Sequence, residues 1–268
     1  MKFGLIGHPI AHSMSPSLFR AGYEGRFPYE LIEGSDFEAS YRRFLKDYDG
    51  INVTAPFKEL AYAKADLLSE ECRIIKATNL LVKTPEGVKA YNSDYMGVSL
   101  WLKEIAEGQK TRPKTLIVGL GGAGKAAAVA AASLGMDLIL MNRDRNKSAA
   151  VYESIAQMQD APYAEVRELG EFRKSFREAD IIIYNIPTAI PDLKELTAED
   201  FGSDKSKFIL EANYKDPSFD NSLIEKMKQA NPLAQYTSGR TWLLYQALTG
   251  YEIFTGEKPD LGPMAAVM

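Results

Sequence analysis

Over the first hundred residues, short apolar blocks alternate with longer stretches of helical periodicity. KFGLIG (2–7), YELIEG (29–34) and GINVTA (50–55) read as strands, with Ile51 and Val53 alternating against Asn52 and Thr54. Between them, SPSLFRAGYEG (15–25) and FEASYRRFLKDY (37–48) read as helices, and PFKELAYAKADLL (56–68) opens another. Strands separated by helices predict parallel pairing through right-handed crossovers. ATNLLVKTPEGVKAYNSD (77–94) predicts a hairpin turning at TPEG, and YMGVSLWLKEIAEG (95–108) a further helix. The charged stretch EGQKTRPK (107–114) reads as a linker.

A second α/β pattern follows. The strand TLIVG (115–119) runs into Gly119, Gly121 and Gly124, then into an alanine-rich helix and the strand DLILMNR (137–143). The G-x-G-x-x-G spacing suits a tight turn, close approach of backbone to a pyrophosphate, and close helix–strand packing, and the helix N-terminus favours an anion. In this strand–turn–helix–strand context it predicts a dinucleotide site that includes Gly122 and Ala123; a glycine turn that only lets a helix pack closely is the alternative. The second strand ends in Asn142-Arg143, with Arg145 and Lys147 close behind, where NAD-preferring proteins place a carboxylate for the ribose 2′-hydroxyl. Cations there predict NADP, with Arg143 gripping the 2′-phosphate; Asp144 is expected to repel it weakly. Further strands are read at 180–187, 207–214 and 233–239. The apolar helix TWLLYQALTGYEIFTG (241–256) is expected to pack back on the first half.

The resulting expectation is an α/β protein. An N-terminal α/β domain covers residues 1–97 and is completed by 239–268; a Rossmann-type doubly wound domain covers 98–238. The composition changes little in this picture. At 268 residues, 46% hydrophobic and 25% charged, the chain resembles an ordinary globular protein long enough for two domains. The net charge of −4 argues against nucleic acid as a partner. A single cysteine precludes an internal disulfide and fits a reducing compartment. No apolar run approaches bilayer length and the start does not read as a signal peptide, so a cytoplasmic protein without a membrane partner is expected. Two histidines, His8 and His12, cannot build a histidine-rich metal centre, and no metal is expected.

The chemistry is carried by short segments in a fixed order: HSMSP, NVTAPFK, the asparagine of ATNLLV, YNSDYMG, GLGGAG, NR and YQA. Together they resemble the shikimate dehydrogenase family along the whole chain, most specifically in NVTAPFK and YNSD. Read alone, Lys58 is a surface cation at a helix start, Asp94 an N-cap, and Ser15 an N-cap followed by Pro16. The resemblance implies more. It pairs Lys58 with Asp94 as the acid–base couple for a ketone whose oxygen needs both charge stabilisation and a proton. It implies that Ser13 and Ser15 hold a substrate carboxylate, that Thr54, Asn79 and Gln246 line the ring hydroxyls, and that Tyr214 lies on the carboxylate side. Asn185 is expected near the nicotinamide and Gly239 at the cofactor; His12 is expected to be structural. The implied activity is NADP-dependent reversible reduction of 3-dehydroshikimate to shikimate, in aromatic amino-acid biosynthesis, by a monomer or homodimer. A quinate/shikimate dehydrogenase that also uses NAD, or a non-catalytic shikimate-sensing relative, are the alternatives. The chain departs from the family pattern at Leu80, at Trp242, which is expected to reshape the ring pocket beside Gln246, and at Asp144.

Overall fold

A computed structural model of the chain describes residues 1–107, 112–203 and 205–268. Residues 108–111 of the linker read at 107–114 lie outside the described residues. The chain divides into two compact units, Met1–Gly97 with Leu243–Met268, and Val98–Trp242.

The first unit is built on a six-stranded sheet: β1 (Phe3–Gly7), β2 (Tyr29–Glu33), β3 (Gly50–Val53), β4 (Leu67–Leu68), β5 (Leu80–Thr84) and β6 (Gly87–Tyr91), in the order β2-β1-β3-β5-β6-β4. The β1–β2 and β1–β3 pairs are parallel, as strand–helix–strand order requires. β5 runs antiparallel to β3, and β5 and β6 form the expected hairpin, with Thr84 opposite Gly87. The sequence pattern missed β4, two residues long, which pairs parallel with β6. Because the helix predicted over 56–68 ends at Lys64, the chain is free to extend there. One face of this sheet packs Phe37, Tyr41, Phe44 and Phe57 around Ile6, Ile51 and Val53. The other packs Phe3, Phe19 and Tyr23 against Ala247, Tyr251 and Phe254 of the helix Gly239–Thr255, so the last long helix completes the first unit. Phe3 stacks on Phe254 with ring centroids 4.8 Å apart.

The second unit holds β7 (Lys114–Val118), β8 (Asp137–Met141), β9 (Ala164–Arg167), β10 (Ile181–Tyr184), β11 (Lys207–Glu211) and β12 (Ala234–Ser238). All five pairings are parallel, in the order β12-β11-β10-β7-β8-β9. Counted within the unit this is 6-5-4-1-2-3, the doubly wound order of dinucleotide-binding sheets. β7, β8 and β10 are nearly continuous apolar runs, as strands covered on both faces must be. β9 was not read from sequence: its AEVR has only half-buried positions and carries two charges. Lys207 is buried at the start of β11, and its ammonium donates to the carbonyls of Phe176 (2.7 Å) and Ala179 (2.6 Å), at the end of the helix Phe172–Glu178. Among the described residues no helix is long and apolar enough to cross a membrane.

Candidate active site

The sheet topology of the first unit gathers its polar residues at one edge. Parallel strands β1 and β3 both end there. β5, antiparallel to β3, begins there, with Asn52 opposite Leu80; β6 ends there, with Leu80 opposite Tyr91. The segments that follow β1 and β3, precede β5 and follow β6 therefore converge: Ser13 and Ser15, Thr54 and Lys58, Asn79, and Asp94. The chain leaves β1 to one side for β2 and returns to the other for β3, so this edge is also the switch point where open α/β sheets bind ligands.

Lys58 is the first residue of the helix Lys58–Lys64, and its ammonium donates to Asp94 Oδ2. The two side chains are 19% and 9% exposed, so this is a largely desolvated ion pair rather than a surface contact. Its placement is fixed from the backbone: Thr78 N–H donates to the Lys58 carbonyl at 3.0 Å, and Phe57 N–H to that of Thr54 at 3.0 Å. Phe57, buried against Phe37, anchors the helix start.

Asp94 does not cap its helix, as the sequence suggested. The helix runs Ser93–Ala106, and Asn92 Oδ1 accepts from Tyr95 N–H (3.0 Å), which leaves the Asp94 carboxylate for Lys58. Asn79 fixes this helix start. Its Oδ1 accepts from Ser93 N–H (2.7 Å) and its Nδ2 donates to Ser93 Oγ (3.0 Å), leaving one amide proton for a ligand. Gln246 comes to the same helix by a close crossing. A Cβ on Gly97 would lie 2.5 Å from the Gln246 backbone nitrogen, and one on Gly250 would lie 3.2 Å from Ser93 Cβ. Two glycines thus let the helix Gly239–Thr255 bring Gln246 within one turn of Asp94.

Ser15 is likewise not the N-cap. The helix is Ser15–Gly22 with Met14 at the cap position and no side-chain cap. Ser13 supplies the local order: its Oγ accepts from Ser15 N–H (3.3 Å) and donates to Ser15 Oγ (3.2 Å). Behind them, Tyr251 hydroxyl donates to the Ser15 carbonyl (3.1 Å) and Tyr29 hydroxyl to Asn52 Oδ1 (2.8 Å). Burial pushes both phenols above their usual range. Asn52 Nδ2 in turn donates to the Asn79 carbonyl (3.3 Å), linking the serine end to the Asn79 end. This chain of Tyr29, Asn52 and Tyr251 was missed from sequence, where the three read as strand or core residues. His12 is exposed. Leu80, the first residue of β5 at this edge, is fully buried, its side chain packed in the aromatic core. Trp242, which was expected to reshape the ring pocket, is buried and lies one turn before Gln246 on the helix Gly239–Thr255. Tyr214, beyond β11, and Gly239 also belong to the second unit; burial raises the Tyr214 phenol against a lowering by Arg240. A Cβ on Gly239 would collide with the carbonyls of Glu211 and Ala212.

In the second unit the glycine turn fits a dinucleotide. Gly119 has φ +86°, a left-handed conformation that glycine adopts without strain. A Cβ on Gly124 would collide with the Gly119 carbonyl, so Gly124 permits the tight turn itself. Gly121 has open space around it and is the cap residue of the helix Gly122–Ser133, with no side chain closing that N-terminus. Gly122, Ala123 and Gly124 form its first turn, where backbone N–H groups suit a pyrophosphate. Asn185, just past β10, lies against this turn; its Oδ1 is buried and unpartnered. The turn is tied to β8 by Asn142, whose Oδ1 accepts from Leu120 N–H (3.3 Å).

Beyond β8 the site opens into a cavity of about 340 Å³ whose lining includes Asn142, Arg143, Arg145, Ser148, Arg167 and Glu168. Arg143 is exposed and has no ion-pair partner among the described residues; Lys147 is exposed one helical turn on. Asp144 is not simply a repelling charge. It caps the helix Arg145–Ala156, accepting from Asn146 N–H at 3.0 Å. Arg167, on the unread strand β9, escaped the sequence reading for the same reason as the strand itself.

Comparison with known proteins agrees with this architecture. The family model of the shikimate dehydrogenase substrate binding domain matches residues 5–81. The chain is 28% identical over 268 residues to the shikimate dehydrogenase (NADP(+)) of Carboxydothermus hydrogenoformans, covering 97% of this chain and 94% of that one. The crystal structure of Mycobacterium tuberculosis shikimate dehydrogenase matches with a TM-score of 0.82 at 27% identity, over 99% of this chain and 97% of that one. Shikimate 5-dehydrogenase from Thermus thermophilus in complex with shikimate matches with a TM-score of 0.78 at 25% identity, over 100% and 97%. Residues 5–81 thus match the substrate binding domain of shikimate dehydrogenases, and along nearly its whole length the chain is similar to members of that family.

Proposed function

We propose that the protein catalyses the reversible reduction of 3-dehydroshikimate to shikimate with NADPH, the first unit binding the substrate and the second the nucleotide. The observation that carries this reading is the largely desolvated Lys58–Asp94 pair at the ligand-binding edge of the first sheet. The relatives named for shikimate and NADP(+) supply the substrate and cofactor class.

The nucleotide, when bound, supplies the hydride. Gly121 and the first turn of the helix Gly122–Ser133 would hold its pyrophosphate, Arg143 with Lys147 its 2′-phosphate, and Asn185 the nicotinamide side, with Gly239 a further cofactor contact. Arrival of hydride at the ketone carbon leaves negative charge on its oxygen. The Lys58 ammonium stabilises that charge and then donates the proton that completes the alcohol. Asp94 keeps the Lys58 Nζ in place and balances its charge; solvent returns the proton afterwards. Ser13 and Ser15 hold the carboxylate at the open start of the helix Ser15–Gly22, with Tyr214 on the carboxylate side, and Thr54, Asn79 and Gln246 fix the ring hydroxyls. We further propose a cytoplasmic monomer or homodimer.

The deciding experiment follows nicotinamide absorbance with shikimate or quinate against NADP or NAD. Shikimate with NADP is expected to give the highest kcat/KM. Equal turnover of quinate with NAD would make the protein a dual-specificity enzyme, and no absorbance change with any pair would make it a non-catalytic relative.

A further inference from the structure

The cavity beyond β8 contains a group that the loop cations do not explain. Ser148 is fully buried, lines the cavity, and its hydroxyl has no hydrogen-bond partner. A serine at the fourth position of a helix ordinarily bonds back to the carbonyl four residues earlier. Here Ser148 Oγ does not: the Asp144 carbonyl accepts from the Ser148 backbone N–H (3.4 Å) and from Asn142 Nδ2 (3.0 Å). A buried hydroxyl without a partner costs stability, and its persistence points to a compensating role.

The surroundings identify the partner's charge. Arg143, Arg145 and Arg167 line the same cavity against one carboxylate, Glu168. Arg167 is satisfied by Glu165 (2.6 Å), Glu178 (2.7 Å) and Ser175 (3.1 Å), and Arg145 is held by Glu168 at 3.1 Å. Arg143 is the guanidinium left for a ligand. A dianionic monophosphate matches one free guanidinium and one free hydroxyl donor, whereas a ribose hydroxyl would satisfy only one of them.

We propose that Ser148 is a specificity-determining residue, donating its hydroxyl proton to the 2′-phosphate of NADP on the cavity floor while Arg143 holds the same phosphate from the rim. This rests on the reading of the second unit as the nucleotide-binding unit. It adds a fourth-position helix residue to the loop cations as a discriminator between NADP and NAD.

The test is Ser148→Ala, with 2′,5′-ADP and 5′-ADP as probes in calorimetry and thermal-shift titration of the full chain. Without ligand the variant should melt no lower than the wild type, because the lost hydroxyl made no bond. Its affinity for 2′,5′-ADP should fall roughly tenfold, with 5′-ADP unchanged. Unchanged 2′,5′-ADP binding, or an equal loss for both probes, would overturn the assignment. If the wild type itself does not bind 2′,5′-ADP, the nucleotide reading fails instead, so the two failures are distinguishable.

Discussion

Lys58 and Asp94 sit where water screens them little, so removing either side chain leaves the other without its counter-charge. Lys58→Ala is expected to lower kcat by at least ~10²-fold with KM for shikimate near the wild-type value, the pattern of a lost acid–base group. A variant retaining near wild-type kcat in steady-state assays would remove Lys58 from the chemistry. At the nucleotide loop the side chains separate two roles that the sequence blended. Arg143→Ala should weaken NADP roughly ten- to hundredfold and NAD little, the scale of a charge-assisted pair. Asp144→Ala should instead lower the unfolding midpoint, because it deletes a helix cap contributing about 1 kcal/mol. If Asp144→Ala tightened NADP without changing stability, repulsion would be its role after all. Lys58 and Asp94 were legible because the segments around them are distinctive. The caps were not: a cap depends on where a helix starts to within a residue, and Ser15 and Asp94 each lie inside the helix rather than before it.

At the scale of elements, the crossing of the helices Ser93–Ala106 and Gly239–Thr255 sets the width of the candidate substrate site. Gly97→Ala places a methyl group 2.5 Å from the Gln246 nitrogen and 2.9 Å from its Cα, backbone atoms that cannot rotate away. The helices must part locally, at a cost on the order of 1–3 kcal/mol. Thermal unfolding should show that loss, and KM for shikimate should rise as Gln246 retreats while nucleotide affinity holds. Wild-type values for both would mean that the crossing tolerates the methyl and does not position Gln246. Sequence patterning located both helices but not this crossing, because a glycine inside a helix reads only as a weak former. Apolar strands such as β7 and β10 announce themselves, whereas AEVR of β9 is held by its neighbours in the sheet and carries no periodic signal. Arg167 and the cavity were lost with it.

For the whole molecule, two compact units follow from the two α/β patterns, and each holds buried or half-buried tyrosines. Burial is the leading cause of a raised phenol pKa at Tyr23, Tyr29, Tyr41, Tyr48 and Tyr251 in the first unit, and at Tyr184, Tyr214 and Tyr236 in the second. These groups keep their protons in the folded chain at a pH where the unfolded chain has released them. Their stabilising effect is complete below the unfolded value of about 10 and is lost as pH rises through the folded values. Cys72, pushed up to about 12 by burial, acts in the same sense. Lys207 acts in the opposite sense: burial lowers it to about 8, so from there to its usual 10.5 the unfolded chain binds a proton that the folded chain lacks, and stability rises. One lysine is set against these many tyrosines, and above the ordinary lysine value its contribution no longer grows. The unfolding midpoint is therefore expected to hold or rise slightly from about pH 8 to about pH 10 and then to fall steeply. Circular dichroism melts across that range test it, alongside an ultraviolet titration of the phenols at low temperature. The fully buried tyrosines among them should ionise only as the fold is lost; a native chain that titrates every tyrosine near its ordinary value of about 10, or a midpoint that stays level about one pH unit beyond it, would contradict this account.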